Sequence, residues 1–242
     1  MILVITGTGT GVGKTIVTAA LAALARDRGA RVAVVKPAQT GLAAGSTAST
    51  ASTEESDLEV VRRLSGVTDL HELARYPDPL SPEAAARTSG LPPLDLEVAA
   101  AYIKKLAADL VLVEGAGGLL VRYDPSGWTI ADLAAALEAP VVVVTTPGLG
   151  TLNHTALTLE ALAARGLTLA GLVIGSWPAD PGLAELSNLT DLPPLGGQAL
   201  PGRMPAGAGQ LDCHGFLAAA QLAMINVNCL NNHDFSPADT RA

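Results

Sequence analysis

The stretch GTGTGVGKT, residues 7 to 15, combines closely spaced glycines with a lysine and a threonine. Glycine permits backbone turns that aim several N–H groups at one place, and such a set of donors binds anions. The strict phosphate-loop pattern has glycine at position 8, where this chain has Thr8. We therefore interpret the segment as a variant phosphate loop, in which Lys14 contacts the phosphates and Thr15 presents a hydroxyl to Mg²⁺.

Two further charged residues each follow an apolar run. Glu114 follows residues 110–113, LVLV, and precedes GAGG, whereas Lys36 follows residues 32–35, VAVV, and precedes a proline. Ligands of parallel sheets bind at the edge where the strands end, so both side chains should reach the phosphate loop. We expect Glu114 to be a second Mg²⁺ ligand. A second lysine at this edge suits phosphoryl transfer to an acceptor that develops negative charge.

Each of these residues also has a purely structural interpretation. The loop could be a glycine-rich turn without a ligand, Glu114 a solvated strand end, and Lys36 a charge at the end of a strand. Their combination favours a nucleotide site, because a phosphate, its metal ion and a second cation belong at the same edge of a sheet.

The elements that position these groups follow from short apolar runs alternating with Ala/Leu-rich segments. Continuous apolar runs indicate strands covered on both faces, as in a parallel sheet. The predicted strands are Ile2–Ile5, Val32–Val35, Leu110–Val113, Val141–Val144 and Leu169–Ile174. The predicted helices are Thr15–Arg28, Asp57–Leu64, Leu96–Ala107, Ile130–Leu137 and Thr155–Arg165. The pattern predicts one α/β domain of the P-loop NTPase type, with a doubly wound, mainly parallel sheet and helices on both faces.

Composition excludes several classes of function. The 242 residues are 49% apolar with a mean hydropathy of +0.36, so the chain can bury a sizeable core. A formal charge of −8 argues against a nucleic-acid partner, which would need a basic surface. No segment reaches the length of a membrane span, and the apolar start lacks the basic region of a signal peptide. We therefore expect a cytoplasmic protein that acts on small molecules.

Some segments carry no predicted chemistry. Residues 43–53, AAGSTASTAST, are too small and polar to bury a core and predict a mobile loop. The apolar pattern fades after residue 225, so we predict a domain over residues 1–225 and a loosely attached tail over 226–242. Cys213 and Cys229 have neither metal-ligand nor disulfide-framework spacing, which indicates reduced thiols.

As a set, five motifs resemble the dethiobiotin synthetase family of the P-loop NTPase superfamily. In order along residues 2–225 they are GTGTGVGKT, KPAQTG, ESD at 55 to 57, VEGAGGLLV and GTLNHTALTLEAL. The resemblance implies an ATP- and Mg²⁺-dependent ligase of biotin biosynthesis. It converts 7,8-diaminononanoate and CO₂ to the cyclic urea dethiobiotin through a carbamate and a carbamic–phosphoric anhydride. It also implies a homodimer with shared active sites.

The resemblance also implies roles for single residues. Lys14 and Lys36 would be catalytic, with Lys14 on the transferring phosphoryl group and Lys36 on the carbamate. Thr15, Asp57 and Glu114 would bind Mg²⁺. For Asp57, a carboxylate favoured by the dipole at a helix start is the alternative, and both roles are compatible.

Two further sets of residues complete the implied site. Nucleotide contacts are implied for Gly11, Val12, Gly13, Lys14, Thr15, Ile16, Asp57, Glu114, Gly115, Ala116, Gly117, Gly175, Ser176, Pro205, Ala206 and Gly207. Substrate contacts are implied for Thr10, Thr40, Gly148, Leu149, Gly150, Thr151 and Asn153, where the segment 148–154 would reach the diamine bound in the partner subunit. From the residues alone, Asn153 is better interpreted as a helix cap and His154 as a structural histidine.

The chain departs from the family pattern at two places. Gly175 stands where the family often has an asparagine that reads adenine, which predicts use of CTP, GTP and UTP as well as ATP. Introducing asparagine at Gly175 would then sharpen the preference for ATP, provided that the backbone there does not require a positive φ. In PLSPE, residues 79 to 83, Glu83 stands where some relatives have histidine.

Two other functions compete with a ligase. A partitioning or metal-trafficking ATPase of the same superfamily would act as a switch, but those proteins carry an additional lysine where this chain has Gly9. A nucleotide-binding module without catalysis, or a relative that uses glutamine, is the second alternative. Glutamine-dependent relatives need a further domain, for which the chain leaves no room.

Overall fold

A computed structural model describes residues 1–42, 55–196 and 202–224. The strands are β1 (Ile2–Gly7), β2 (Val32–Thr40), β3 (Asp69–Tyr76), β4 (Leu110–Glu114), β5 (Val141–Thr145), β6 (Leu169–Trp177) and β7 (Gly202–Pro205). The helices are α1 (Lys14–Asp27), α2 (Asp57–Ser65), α3 (Pro82–Ser89), α4 (Leu96–Lys104), α5 (Ile130–Ala136), α6 (Thr151–Ala163), α7 (Leu183–Gly196) and α8 (Cys213–Ala223). The predicted loop 43–53 and tail 226–242 lie outside the described residues.

The described strands form a seven-stranded sheet with the order β3-β2-β4-β1-β5-β6-β7, and every neighbouring pair is parallel. Successive residues of β1 alternate between two cores: Leu3 and Ile5 pack in one with α1, whereas Val4 packs in the other with α5. Because both faces are covered by helices, the prediction of a doubly wound parallel α/β sheet is confirmed.

The position of the site follows from the strand order. β1 lies in the middle of the sheet between β4 and β5, and the chain leaves its end in the loop that precedes α1. Connections on the two sides of such a central strand run in opposite directions and open a crevice at the carboxyl ends. The phosphate loop lies in this crevice, next to the ends of β4 and β5.

The prediction that β2 ends before Lys36 is wrong. β2 continues to Thr40, because its second half pairs with β3 from Lys36↔Glu72 to Thr40↔Tyr76. Pairing with β4 stops at Val35↔Val113, so β2 has only one neighbour at Pro37 and tolerates a residue without an N–H. β3 was not predicted, since its half-buried edge position carries charged residues among the apolar ones.

The start of α6 also differs from the prediction. The helix begins at Thr151, four residues before the predicted Thr155, and Gly150 precedes it with φ 91°. Asn153 therefore lies within the first turn rather than at the cap, and its predicted capping role is wrong. Both Asn153 and His154 are exposed.

Four other elements were not predicted. α3 and α8 are short, α7 contains Pro193 and Pro194 near its end, and β7 has only four residues, of which two are buried. Helix-breaking residues and short edge strands give weak periodic signals. Within the described ranges, no helix is long and apolar enough to cross a membrane.

Candidate active site

A cavity of about 650 Å³ opens at the carboxyl ends of β1, β2 and β4. It is lined by Thr10, Gly11, Gly13, Lys14, Thr15, Ile16, Lys36, Ala38, Gln39, Thr40, Asp57, Pro79, Leu80, Ser81, Pro82, Glu114, Ala116, Gly117 and Val121. Both lysines and all three predicted magnesium ligands thus meet in one cavity, although they are up to 100 residues apart in sequence.

The phosphate loop has the backbone conformation that its glycines predict. Gly11 and Gly13 have φ values of 72° and 96°, a region that other residues rarely adopt. Gly13 precedes α1 and has no side chain with which to cap it, so the first N–H groups of the helix stay available for an anion. A Cβ at Gly13 would lie 2.6 Å from the carbonyl oxygen of Gly175. The phosphate loop therefore packs closely against the backbone of β6.

Lys14 lies against its own loop. Its Nζ donates to the carbonyl oxygen of Gly9 at 2.9 Å, and the side chain is largely buried. Burial, with the nearby charge of Lys36, lowers the pKa of Lys14 to about 8. An anionic ligand in the cavity would stabilise the charged form, because it brings the compensating negative charge that the loop lacks.

Lys36 is fully buried between two carboxylates. Its Nζ lies 2.9 Å from Glu114 Oε1 and 2.5 Å from Asp57 Oδ2, and it also donates to the carbonyl oxygen of Gly115 at 3.3 Å. Burial alone would lower the pKa of Lys36, but the charges of Glu114 and Asp57 raise it above its usual range. The lysine is therefore a fixed positive charge in the wall of the cavity.

The same two carboxylates surround Thr15. Its hydroxyl is within hydrogen-bond distance of Asp57 Oδ1 at 3.1 Å and of Glu114 Oε1 at 3.0 Å. Lys36 lowers the pKa of Asp57 against the opposing effect of burial, so this carboxylate stays ionised. One hydroxyl and two carboxylates are hard oxygen ligands of the kind Mg²⁺ prefers.

The arrangement is an incomplete cage for a metal. Among the described residues, no group of three or more His, Cys, Asp or Glu side chains is placed to hold a metal ion. Mg²⁺ in nucleotide enzymes usually has one or two carboxylates and completes its shell with phosphate and water. Thr15, Asp57 and Glu114 fit that pattern, in which the nucleotide supplies the remaining ligands.

Asp57 reaches the site because of how α2 begins. Ser56 caps the helix in a capping box with Glu59, so Asp57 is the first residue of α2 and faces β2. The backbone N–H of Asp57 donates to Gln39 Oε1 at 3.2 Å, which ties the helix start to the strand of Lys36. Both interpretations of Asp57, the helix-start carboxylate and the cavity residue, therefore agree with its position.

Several residues that contact or support the cavity were not assigned from the sequence. Gln39 orients Asp57, and Tyr123 accepts a hydrogen bond from the Ala116 N–H at 2.8 Å beneath the Gly115–Gly117 turn. Burial raises the pKa of Tyr123 to about 12, so its hydroxyl is neutral. The segment 79–82 forms a wall of the cavity, but Glu83 does not line it. The two prolines of this segment, Pro79 and Pro82, were the one available signal, since prolines indicate a turn.

Other predicted contact residues lie elsewhere. Gly148–Thr151 and Asn153 do not line the cavity, and Leu149 is 96% exposed at the tip of the loop before α6. Their assignment to the diamine stays a prediction. The segment 205–207 lies at the end of β7, where the Ala206 N–H donates to the carbonyl oxygen of Trp177.

Gly175 is not among the glycines with a positive φ, but the suggestion of an asparagine there is wrong because a side chain has no space. A Cβ at Gly175 would lie 2.0 Å from the carbonyl oxygen of Val12 and 2.7 Å from Val144 Cγ1. Since β6 and the phosphate loop are in direct backbone contact here, no side chain fits between them. Gly175 thus sets the position of the phosphate loop.

Comparison with known proteins gives the family. A family model described as an AAA domain matches residues 2–203. A protein of Parafrankia sp. named ATP-dependent dethiobiotin synthetase BioD is 60% identical over 225 residues, which cover 92% of this chain and 91% of the relative. Proteins of the same name from Frankia casuarinae and Rhodococcus jostii are 62% and 58% identical, and cover 92% and 90% of this chain and 91% and 92% of their own length. The chain belongs to the dethiobiotin synthetase family.

Solved structures show how this family shares its fold with others. The septum site-determining protein MinD from Pyrococcus horikoshii, complexed with Mg-ADP, superposes with a TM-score of 0.60 at 16% identity and 99% coverage of both chains. A chain of the MinC:MinD cell division protein complex of Aquifex aeolicus gives a TM-score of 0.55 at 14% identity, covering 99% of this chain and 98% of the other. At such identities the likeness shows the fold alone, whereas the dethiobiotin synthetases match in sequence over almost the whole domain.

Proposed function

We propose that this chain is an ATP-dependent ligase that forms dethiobiotin from 7,8-diaminononanoate and CO₂. The observation that carries this proposal is Lys36, which is fully buried at the phosphate-loop cavity and bound to two carboxylates. Partitioning-type switch ATPases have their additional lysine in the phosphate loop, where this chain has Gly9, whereas Lys36 lies on β2. A ligase that transfers phosphate to a carboxylate needs a second cation beside Lys14, because both reactants are anionic.

The proposed reaction has three steps. One amine of the substrate adds to CO₂ and releases a proton, which gives a carbamate. A carbamate oxygen attacks the γ-phosphorus of ATP, ADP leaves, and a mixed carbamic–phosphoric anhydride forms. The second amine then attacks the carbamate carbon, phosphate leaves, and the five-membered urea ring closes with loss of another proton.

The residues of the cavity match the charges that develop. Lys36 would contact the carbamate oxygens, and the hydroxyl of Thr40, at the end of the same strand, would bind the same part of the substrate; both residues line the cavity. Lys14 would exchange the Gly9 carbonyl for the transferring phosphoryl group. The loop N–H groups and the α1 dipole add positive potential without moving, which is the form of stabilisation that lowers a transition state most.

Mg²⁺ is part of this proposal. Thr15, Asp57 and Glu114 would hold it, and bound there it would neutralise charge on the β- and γ-phosphates. Lys36 contacts the carboxylates of both Asp57 and Glu114 and so orients them. The same carboxylates also lie within hydrogen-bond distance of the Thr15 hydroxyl, on the side of the cavity.

A homodimer is also part of the proposal. The loop before α6, α6 itself and the adjoining start of α7 expose large apolar side chains: Leu149 is 96% and Leu183 87% exposed, while Leu157 and Leu186 are more than half exposed. Such a surface suits burial against a second chain, and it includes the segment 148–154 that is predicted to reach the partner's diamine. Light scattering tests this, since a fully active monomer at working concentration would contradict it.

Nucleotide choice follows from the lack of space at Gly175. Without a side chain there, only Ser176, Pro205–Gly207 and backbone groups remain to read the base, while the triphosphate contacts are independent of it. We propose that CTP, GTP and UTP support turnover at rates comparable to ATP. In a competition assay at equal, subsaturating concentrations, a preference for ATP beyond about a hundredfold would contradict this.

The test of the proposed function is direct. Purified protein with ATP, Mg²⁺, bicarbonate and 7,8-diaminononanoate should release phosphate and form dethiobiotin in equal amounts. Omission of the diamine or of bicarbonate should stop both. Phosphate release that continues unchanged without the diamine would favour the ATPase switch instead. A cytoplasmic location and small-molecule partners, without nucleic acid, belong to the same proposal.

A further inference from the structure

A buried cluster of threonine hydroxyls lies between the phosphate loop and the start of α6. Thr145 is the last residue of β5 and is fully buried; its Oγ1 lies 2.7 Å from Thr151 Oγ1 and 2.8 Å from Thr155 Oγ1. Thr8 of the phosphate loop approaches Thr145 Oγ1 to 3.5 Å. We call Thr145, Thr151 and Thr155 the threonine cluster.

Proton counting fixes the direction of these hydrogen bonds. Each hydroxyl has one proton to donate, and Thr151 donates its proton to the carbonyl oxygen of Thr146 at 2.6 Å. Thr145 must therefore donate to Thr151, and Thr155 to Thr145. The chain Thr155→Thr145→Thr151→Thr146 ends on the loop backbone, and Thr145 is its central member.

The loop that follows β5 is held on three successive carbonyl groups. Thr151 binds the Thr146 oxygen, and the buried Asn188 of α7 donates Nδ2 to the oxygens of Pro147 and Gly148 at 2.7 and 3.2 Å. The next residue, Leu149, is 96% exposed. Buried side chains of its own subunit thus hold the backbone of the loop, while Leu149 at its tip is exposed. Such a tip is available to contact a second subunit.

We propose that Thr145 is a positioning residue, which holds the loop 146–151 of one subunit in place for the diamine site of the other. This inference rests on the proposed function, because it assigns a role to one residue of the same shared site. The loop does not line the cavity of its own chain. Its rigid shape would therefore act on substrate binding across the dimer rather than on phosphoryl transfer in its own subunit.

Thr145→Val keeps the shape of the side chain and removes the hydroxyl. The substitution leaves the Thr155 hydroxyl without its acceptor and Thr151 without its donor, so the loop should loosen. Thr145→Ser keeps the hydroxyl and should restore the wild-type behaviour. Thr18→Val is the matched control, since Thr18 is equally buried in α1 and its hydroxyl has no hydrogen-bond partner within the described residues.

Hydrogen exchange tests the structural half of this proposal without any substrate. Amides of residues 148–152 should exchange about tenfold faster in Thr145→Val than in wild type, Thr145→Ser or Thr18→Val. Equal exchange in all four proteins would overturn the role of the cluster. This result does not depend on the reaction, so it is distinguishable from a failure of the proposed function, which would appear as wild-type protein that does not consume the diamine.

Steady-state kinetics test the functional half. Thr145→Val should raise the KM for the diamine about tenfold while kcat and the KM for ATP stay within about twofold. A larger effect on ATP than on the diamine would place Thr145 in service of the phosphate loop and overturn the proposal.

A mixed dimer shows in which subunit Thr145 acts. Consider a mixed dimer in which one subunit carries Lys36→Ala and the other Thr145→Val. If the loop acts across the dimer, the site with Lys36→Ala also receives the altered loop, and the second site has a wild-type Lys36 and a wild-type loop. The mixed dimer should then have about half the wild-type kcat with the wild-type KM for the diamine. A raised KM in the mixed dimer would show that Thr145 acts within its own subunit, which contradicts the proposal.

Discussion

The neighbouring strands β2 and β4 have an ion pair at each end of the stretch over which they pair, and the two ion pairs differ in almost every physical respect. At the amino ends, Arg31 and Asp109 form a bidentate pair with distances of 2.7 and 3.0 Å, and the Arg31 side chain is 70% exposed. Directly after the last paired residues, Val35 and Val113, the charged groups of Lys36 and Glu114 lie 2.9 Å apart, and their side chains are 4% and 1% exposed. The same two strands thus provide one solvated pair and one buried pair.

The difference lies in what each pair leaves unsatisfied. The Asp109 carboxylate accepts two hydrogen bonds from the Arg31 guanidinium and one from the Arg31 backbone N–H. Arg31 alone thus supplies three hydrogen bonds to this carboxylate. Lys36 instead shares two carboxylates that also face Thr15 and an open cavity. A buried ion pair is costly to desolvate and seldom adds stability, so its presence at a cavity indicates function.

Substitutions in the two ion pairs should differ most in their effect on turnover. Lys36→Ala should lower kcat by about 10²-fold or more, because it removes a preorganised charge from the transferring group. It should spare nucleotide binding more than Lys14→Ala does, as measured by titration with ATP. Arg31→Ala is the matched control, with unchanged turnover. Near-normal turnover by Lys36→Ala would remove its assigned role.

The next largest difference between the two ion pairs should be in the free energy of unfolding. Lys36→Met leaves Glu114 buried without its cation, and loss of one partner of a buried pair costs about 3 kcal/mol of unfolding free energy. The double variant Lys36→Met/Glu114→Gln should recover part of this loss, because the uncompensated charge is gone. Urea unfolding at neutral pH measures both, and Arg31→Met should show only a small change. A double variant less stable than Lys36→Met would contradict the explanation.

Metal dependence gives a smaller, more specific difference. Asp57→Asn and Glu114→Gln each replace an anionic oxygen of the predicted site, so the Mg²⁺ concentration for half-maximal turnover should rise about tenfold. Asp109→Asn changes the same charge at the other end of β4 and should leave the titration unchanged. If both cavity variants titrate like wild type, the metal site is misplaced.

The smallest effect is the pH response of the exposed pair. Arg31 lowers the pKa of Asp109 to about 2 from its ordinary 3.8. A carboxyl group with a lowered pKa in the folded state stabilises the protein above its unfolded pKa and loses that contribution as pH falls. The stability difference between wild type and Asp109→Asn should therefore shrink between pH 3.8 and about pH 2. A difference that grows in this range would mean that the sign is wrong.

Much of the candidate site around the buried ion pair was predictable from sequence, because the patterns that indicate its residues are local. Lys14 and Thr15 follow glycines, and Glu114 ends a continuous apolar run, so each could be placed at the carboxyl edge. Lys36 was placed at the correct edge for a wrong reason, since β2 does not end there. Asp57 could be assigned only through the family resemblance, because its approach to Thr15 depends on how α2 docks.

What could not be predicted depends on contacts between distant segments. The edge strand β3 has mixed polarity, and its identity follows from pairing with the second half of β2. The link between Gln39 and Asp57, the backbone contact at Gly175 and the threonine cluster arise where separate segments meet. Single-sequence patterns report burial along a segment, whereas these features are set by register and docking between segments.

Transfer of the γ-phosphate to a carbamate oxygen beside Lys36 can be followed with an oxygen label. ¹⁸O-labelled bicarbonate, supplied with the diamine, ATP and Mg²⁺ in a single turnover, places labelled oxygens in the carbamate. If the carbamate is the acceptor, one labelled oxygen leaves with the released phosphate and another stays in the carbonyl group of the ring. Unlabelled phosphate would show that water attacks ATP instead, and would contradict the account.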